Sequence, residues 1–181
     1  RVSVTAPDAA GPQTTTTHYH VLGRVIRVDY PANGDAAAFS VYHTYDALGR
    51  RTVLTDPTGV TTWTYDALGR MSAVSDPFTG TVAYSYDAVG NRTALTVTLP
   101  SSEVRVASYE FDAANRLIQV SDWATGTVAY DYDAAGRLLT TTLPNGVTSV
   151  YDYDAAGRQV GLQHAGITGT LATYTYTLDA L

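Results

Sequence analysis

One six-residue stretch recurs along the chain and constrains its fold more than any other feature. It reads Tyr45-Asp46-Ala47-Leu48-Gly49-Arg50 and returns at residues 65–70, 86–91, 111–116, 132–137 and 153–158. Two poorer copies flank these six: YHVLGR at 19–24 and a truncated LDAL at 178–181. The copies start at 19, 45, 65, 86, 111, 132, 153 and 178, a spacing of 20 to 26 residues. Self-similarity at that interval identifies a tandem-repeat architecture, in which each unit is completed by its neighbours.

The residue types within the stretch are those of a tight turn. The second position holds Asp46, Asp66, Asp87, Asp112, Asp133 and Asp154, whose carboxylates can accept a hydrogen bond from the backbone two residues on. The fifth holds Gly49, Gly69, Gly90, Gly136 and Gly157, which supply positive φ, and Asn115 replaces glycine in one copy. The first position holds Tyr45, Tyr65, Tyr86, Phe111, Tyr132 and Tyr153, each ending an incoming strand. The last holds Arg50, Arg70, Arg116, Arg137 and Arg158, read as surface or ion-paired side chains. These residues are expected to form a structural column and not a repeated catalytic site.

A second turn falls midway in each unit, as in Asp56-Pro57-Thr58-Gly59, DPFTG at 76–80, DWATG at 122–126 and Pro144-Asn145-Gly146. Two turns of about four residues and two strands of about six sum to about 20, which leaves no room for a helix. Val82, Tyr84 and Tyr86 alternate with Thr81, Ala83 and Ser85, and the same period of two recurs at 127–132. The outgoing arms alternate less cleanly, as at Leu117–Val120, and are read as strands partly buried on both faces. The expected fold is all-β: a coiled antiparallel hairpin meander of fourteen to sixteen strands over 19–181. Residues 1–18 read as a linker or edge segment.

Composition excludes several function classes. The net charge is −6 and every one of the 11 basic residues is Arg, which argues against nucleic acid or anionic membrane as a partner. The absence of Cys removes disulfides, thiol catalysis and Cys-based zinc sites. No apolar run reaches the ~18–20 residues of a membrane span. The chain starts at Arg1 and stops inside its own repeat, so a longer polypeptide is expected, with any targeting signal elsewhere.

The motif Y-D-A-x-G-R/N, with an aromatic two residues before it and a D-P-x-G turn after it, resembles the RHS or YD repeat. The resemblance covers 19–181. It implies antiparallel ribbons that coil into a hollow shell, as in bacterial RHS toxins, insecticidal toxin complexes, wall-associated proteins and teneurins. It further implies that any toxin or self-cleaving region lies outside the repeats, and that the protein is extracellular or at the cell surface. The expected function is a non-enzymatic structural scaffold of toxin-shell type. An extracellular fibre and a carbohydrate-binding surface protein are the alternatives. Every third spacing is long (26, 25 and 25), which suggests three units per turn. Six strands at about 4.8 Å would make a tube roughly 9 Å across, filled by a solid aromatic core.

Several other side chains carry the chemistry of a candidate site. The column Tyr84, Tyr86, Tyr130, Tyr132, Tyr151, Tyr153, Tyr174 and Tyr176 is read as a core-facing ladder, with a glycan platform as the alternative. Asp131/Asp133 and Asp152/Asp154 are too few ligands for calcium. His18 and His20 lack the further ligand a metal needs. His43 reads as packing, and His164 stands alone. Asn91-Arg92-Thr93 is a weak glycosylation sequon. No cofactor, metal or catalytic residue is assigned. Expected partners are neighbouring repeats or further copies of the chain, joined through sheet edges, with glycans as a further candidate.

Overall fold

The computed structural model describes residues 2–8, 11–32 and 36–179. The described residues contain sixteen β-strands and no helix. Two compact units are present, Arg1–Tyr84 with Val97–Val104 and Ser85–Thr96 with Arg105–Leu181. In both, strand order follows sequence order and there is no crossover.

The first unit holds β1 (Val2–Asp8), β2 (Gly11–Tyr19), β3 (Val25–Tyr30), β4 (Phe39–Tyr45), β5 (Arg51–Asp56), β6 (Gly59–Tyr65) and β7 (Met71–Asp76). It also takes most of β8 (Gly80–Tyr86) and the end of β9 (Arg92–Thr98). The second unit takes the start of β9, nearly all of β10 (Val104–Phe111), then β11 (Leu117–Asp122), β12 (Gly126–Tyr132), β13 (Leu138–Thr142), β14 (Thr148–Tyr153), β15 (Gln159–Gly166) and β16 (Gly169–Thr175). Residues 2–8 and 11–19 pair as the antiparallel hairpin β1–β2. The last two residues of the LDAL copy lie outside the described residues.

The mid-unit turns differ in length: Asp76 pairs with Gly80 and Asp122 with Gly126 across three residues, and Thr142 with Thr148 across a longer loop. Asp56 pairs with Gly59 across Pro57-Thr58, and Asp56 Oδ1 accepts from the Thr58 and Gly59 backbone N–H groups. Each motif turn is a five-residue loop closed twice by the backbone. The Asp46 N–H donates to the Arg50 carbonyl at 2.9 Å, and the Gly49 N–H donates to the Asp46 carbonyl at 3.0 Å. Glycine is needed here because φ is +82° at Gly49 and +83° at Gly69 and Gly136. Asn115 takes the same conformation at φ 60°.

Among the described residues, a register shift precedes the motif aromatic of six hairpins. Thr44 pairs with Val53 and Tyr45 with Arg51, so Thr52 is an extra residue. The same bulge sets aside Ser72, Ile118, Leu139 and Val160. The inserted residue reverses the parity of everything after it, so the outgoing arms alternate less cleanly, and over Leu117–Asp122 every side chain is half-buried, on both faces.

The expected aromatic core is absent. Among the described residues only Thr16, Ala107, Ser149 and Gly161 are buried, and no large side chain is below 2% exposed. Among the described residues, each strand hydrogen-bonds only with its sequence neighbours. Each unit is one sheet layer, half-wet on both faces.

Candidate functional site

The motif column builds a joint that links each unit to the next. Asp133 accepts the Arg137 backbone N–H on Oδ1 at 2.9 Å and the Arg137 Nε–H on Oδ2 at 2.7 Å. Its pKa is lowered by the Arg137 backbone N–H first and the guanidinium next, against a raising contribution from burial. Asp112 and Asp154 are held low in the same way by Arg116 and Arg158. At Asp46 and Asp66 burial pushes upward most strongly, and the Arg50 and Arg70 hydrogen bonds together outweigh it.

The arginine so fixed reaches forward. Arg137 Cζ lies 4.6 Å from the centroid of the Tyr153 ring, Arg116 lies 4.7 Å from that of Tyr132, and Arg50 lies 4.3 Å from that of Tyr65. These are cation–π distances. Arg116 and Arg137 Nη1 donate to the carbonyls of Asp133 and Asp154 in the next motif, both at 3.4 Å. The next tyrosine answers backward. Tyr45, Tyr65, Tyr132 and Tyr153 each donate their hydroxyl to the carbonyl of the residue after the preceding motif: Val25, Arg51, Leu117 and Leu138, at 2.7–2.8 Å. The next glycine completes the joint: a Cβ at Gly69 would lie 3.1 Å from Arg50 Nη1.

One joint departs from this pattern. Asn91 stands where arginine would, and its Nδ2 donates to Asp87 Oδ2 at 2.9 Å and to Asn115 Oδ1 at 3.0 Å. The aromatic that follows is Phe111, which has no hydroxyl to return. Asn91, Phe111 and Asn115 therefore form a shorter, amide-based substitute. Both Asn91 amide protons are engaged, so glycosylation at the sequon would have to break this joint. Arg92 instead lies over Tyr109 at 4.8 Å.

The residues weighed for other chemistry are placed apart. His18 Nε2 lies 2.7 Å from Asp29 Oδ2, while His20 Nδ1 accepts the Leu22 N–H at 3.3 Å, so the two histidines share no ligand. Asp29 is lowered to about 2 by the Ser40 hydroxyl first, then by His18 and Arg27 against burial. Burial, then the charge of Arg51, pushes the pKa of His43 down. Ser149 Oγ and His164 Nδ1 are 2.8 Å apart as a cross-strand pair, with the serine buried beneath its neighbours. Guanidinium groups cover a face of Tyr65, Tyr132 and Tyr153, leaving less ring for a sugar to stack on. Tyr174 and Tyr176 are exposed, at 49% and 42%. Among the described residues, no three His, Asp or Glu side chains converge as a metal site.

The RHS Repeat family profile matches residues 45–81, 65–104 and 132–166, together more than half of the chain. A search of curated proteins gives no match. Among solved structures, the chain is similar to one described as the Photorhabdus luminescens Tc holotoxin pore with the mutation TccC3-D651A. The identity is 18%, the TM-score 0.67, and the match covers 91% of this chain and 10% of that one. It is also similar to a structure of TcdB2-TccC3 without the hypervariable C-terminal region, at 16% identity and TM-score 0.51, covering 92% of this chain and 12% of that one. The chain thus spans about a tenth of the length of those it matches, and at these identities the likeness concerns the fold.

Proposed function

Because the chain belongs to the RHS-repeat family, we propose that it is a non-enzymatic stretch of wall in a secreted, toxin-complex-type shell. The observation that carries this reading is the forward-reaching joint. Arg, Tyr and Gly from consecutive motifs interlock without any sealed core, so a strip can grow by whole units at constant thickness. Such a strip serves as a partition. Binding or catalysis would call for one distinctive place, and the motif column offers many equivalent ones. The similar structures are of toxin complexes, which supports a role in enclosing or carrying a toxic segment encoded elsewhere in the polypeptide. Its edges are then joined by neighbouring repeats or by further copies.

A second reading, an extracellular fibre built from the same repeat, is favoured by the recurrence of a long spacing at every third unit. Electron microscopy of the full-length polypeptide separates the two. The shell reading expects a hollow particle with this segment in its wall and an interior protected from protease. A solid filament would overturn it.

A further inference from the structure

The first motif, at 19–24, lacks the carboxylate on which the other arginine-bearing motifs are built. His20 stands in the aspartate position, and its Nδ1 takes over the turn, accepting from the Leu22 N–H at 3.3 Å. With Nδ1 accepting, the ring proton sits on Nε2, which becomes a donor. Arg24 still makes its forward contacts: it stacks over Tyr45 at 5.5 Å, and its Nη1 packs so closely on Gly49 that a Cβ there would overlap it. In five later motifs arginine also pairs with its own aspartate at 2.7–2.8 Å. Arg24 makes no ion pair among the described residues.

A cavity of about 320 Å³ lies at this place, lined by His20, Arg24, His43 and Tyr45 among others. Asp46 also borders it, but its Oδ1 is taken by the Leu48 and Arg50 N–H groups and its Oδ2 by Arg50 Nε. His43 Nδ1 is buried without a partner. The cavity therefore holds an arginine pinned in place, with its charge unmatched and two imidazoles beside it.

We propose that this cavity binds a carboxylate supplied from outside the motif, with Arg24 as its principal partner and His20 Nε2–H as a second donor. Arginine binds carboxylates through directed, charge-assisted hydrogen bonds, and a guanidinium already immobilised by stacking loses little freedom on doing so. The carboxylate belongs either to a small organic acid or to an Asp or Glu side chain of a polypeptide.

The test follows the Arg Nε–H resonances of the intact 181-residue chain by NMR, titrated at constant ionic strength with acetate and with a short Asp-containing peptide. His20→Asp is the paired variant, because it restores the missing carboxylate within the motif. The expected result is a saturable shift at Arg24, with Arg51 and Arg92 unmoved, that weakens at least tenfold in His20→Asp. In that variant the Arg24 signal should start near the position of Arg50, and the thermal midpoint should rise. Equal affinity for the two probes identifies a small acid, and at least tenfold tighter binding of the peptide identifies a polypeptide side chain. No response at Arg24 to either probe, equal responses in the two proteins, or uniform shifts across exposed arginines would each overturn the proposal.

Discussion

Replacing Tyr153 and Arg137 singly and together measures what one joint contributes. Tyr153→Phe removes the hydroxyl that donates to the Leu138 carbonyl at 2.8 Å and leaves the ring under the guanidinium. A net loss of about 1 kcal/mol is expected for that hydrogen bond. Arg137→Gln and Tyr153→Leu form the cycle. Each single change also loses other contacts, including the Asp133 pair, and the cycle cancels these. What remains is the stacking at 4.6 Å. The Arg137 side chain is 35% exposed, so the coupling should lie near the solvated end of the range, about 0.5–1 kcal/mol. Urea unfolding followed by Trp123 fluorescence, in a Trp63→Phe background, reads the second unit. With a slope of about 2 kcal/mol/M, the Phe variant should lower the midpoint by about 0.5 M. The same cycle with Asn91→Ala and Phe111→Leu should give coupling below about 0.3 kcal/mol, since no cation faces that ring. Equal coupling at the two joints, or a neutral Tyr153→Phe, would refute the idea that arginine and tyrosine lock successive units together.

Three further outcomes are expected. Gly136→Ala, forced to hold φ +83°, should destabilise by about 1–2 kcal/mol, whereas Ala135→Gly in the same loop should change the urea midpoint far less. Converting the irregular joint to the regular one, with Asn91→Arg, Phe111→Tyr and Asn115→Gly together, should raise the urea midpoint, and a lower midpoint would show that the amide substitute is the better joint. Stability should decline slightly from pH 7 to 5, because burial holds the His43 pKa below its ordinary value and the unfolded chain takes up that proton first, and it should fall further in acid. Lowered aspartate pKa values favour the folded state above the unfolded value near 3.8, and that advantage is lost as pH drops through the folded values, last at Asp29 and Asp122, both about 2. Circular dichroism from pH 5 to 2 checks this, and a transition centred above pH 5 would contradict it.

Much of this fold was legible because turns announce themselves. Asp and Gly at fixed offsets marked both loops of each unit, and the alternation around Tyr84 and Tyr130 marked the strands. The bulges were not legible. An extra residue such as Leu139 looks like imperfect alternation until its pairing is known. The aromatic core was inferred from alternation alone, but alternation shows only that two faces differ, and nothing in it says that one face is covered. The joint itself left a trace that motif-by-motif reading passes over. Where Arg gives way to Asn91, the next aromatic loses its hydroxyl at Phe111 and the next glycine becomes Asn115. These substitutions in adjacent motifs change together because their side chains touch or succeed one another across one joint. His20 was weighed as a metal ligand, whereas its position in the motif marks it as the residue standing where a carboxylate is missing.

A layer with no sealed interior has a consequence for how such chains diverge. When a side chain changes size in a packed core, the surroundings must close a void or relieve a clash. Here nearly every side chain has water on some flank, so a larger or smaller group is absorbed at the surface and the backbone keeps its path. The tightest physical constraint then falls on the few atoms of the joint, and the remaining positions tolerate changes of size. That accounts for a backbone shared with the Photorhabdus toxin-complex structure at TM-score 0.67 while only 18% of residues are identical. It also leaves the two faces of the sheet free to drift separately, since alternate residues on a strand answer to different surroundings.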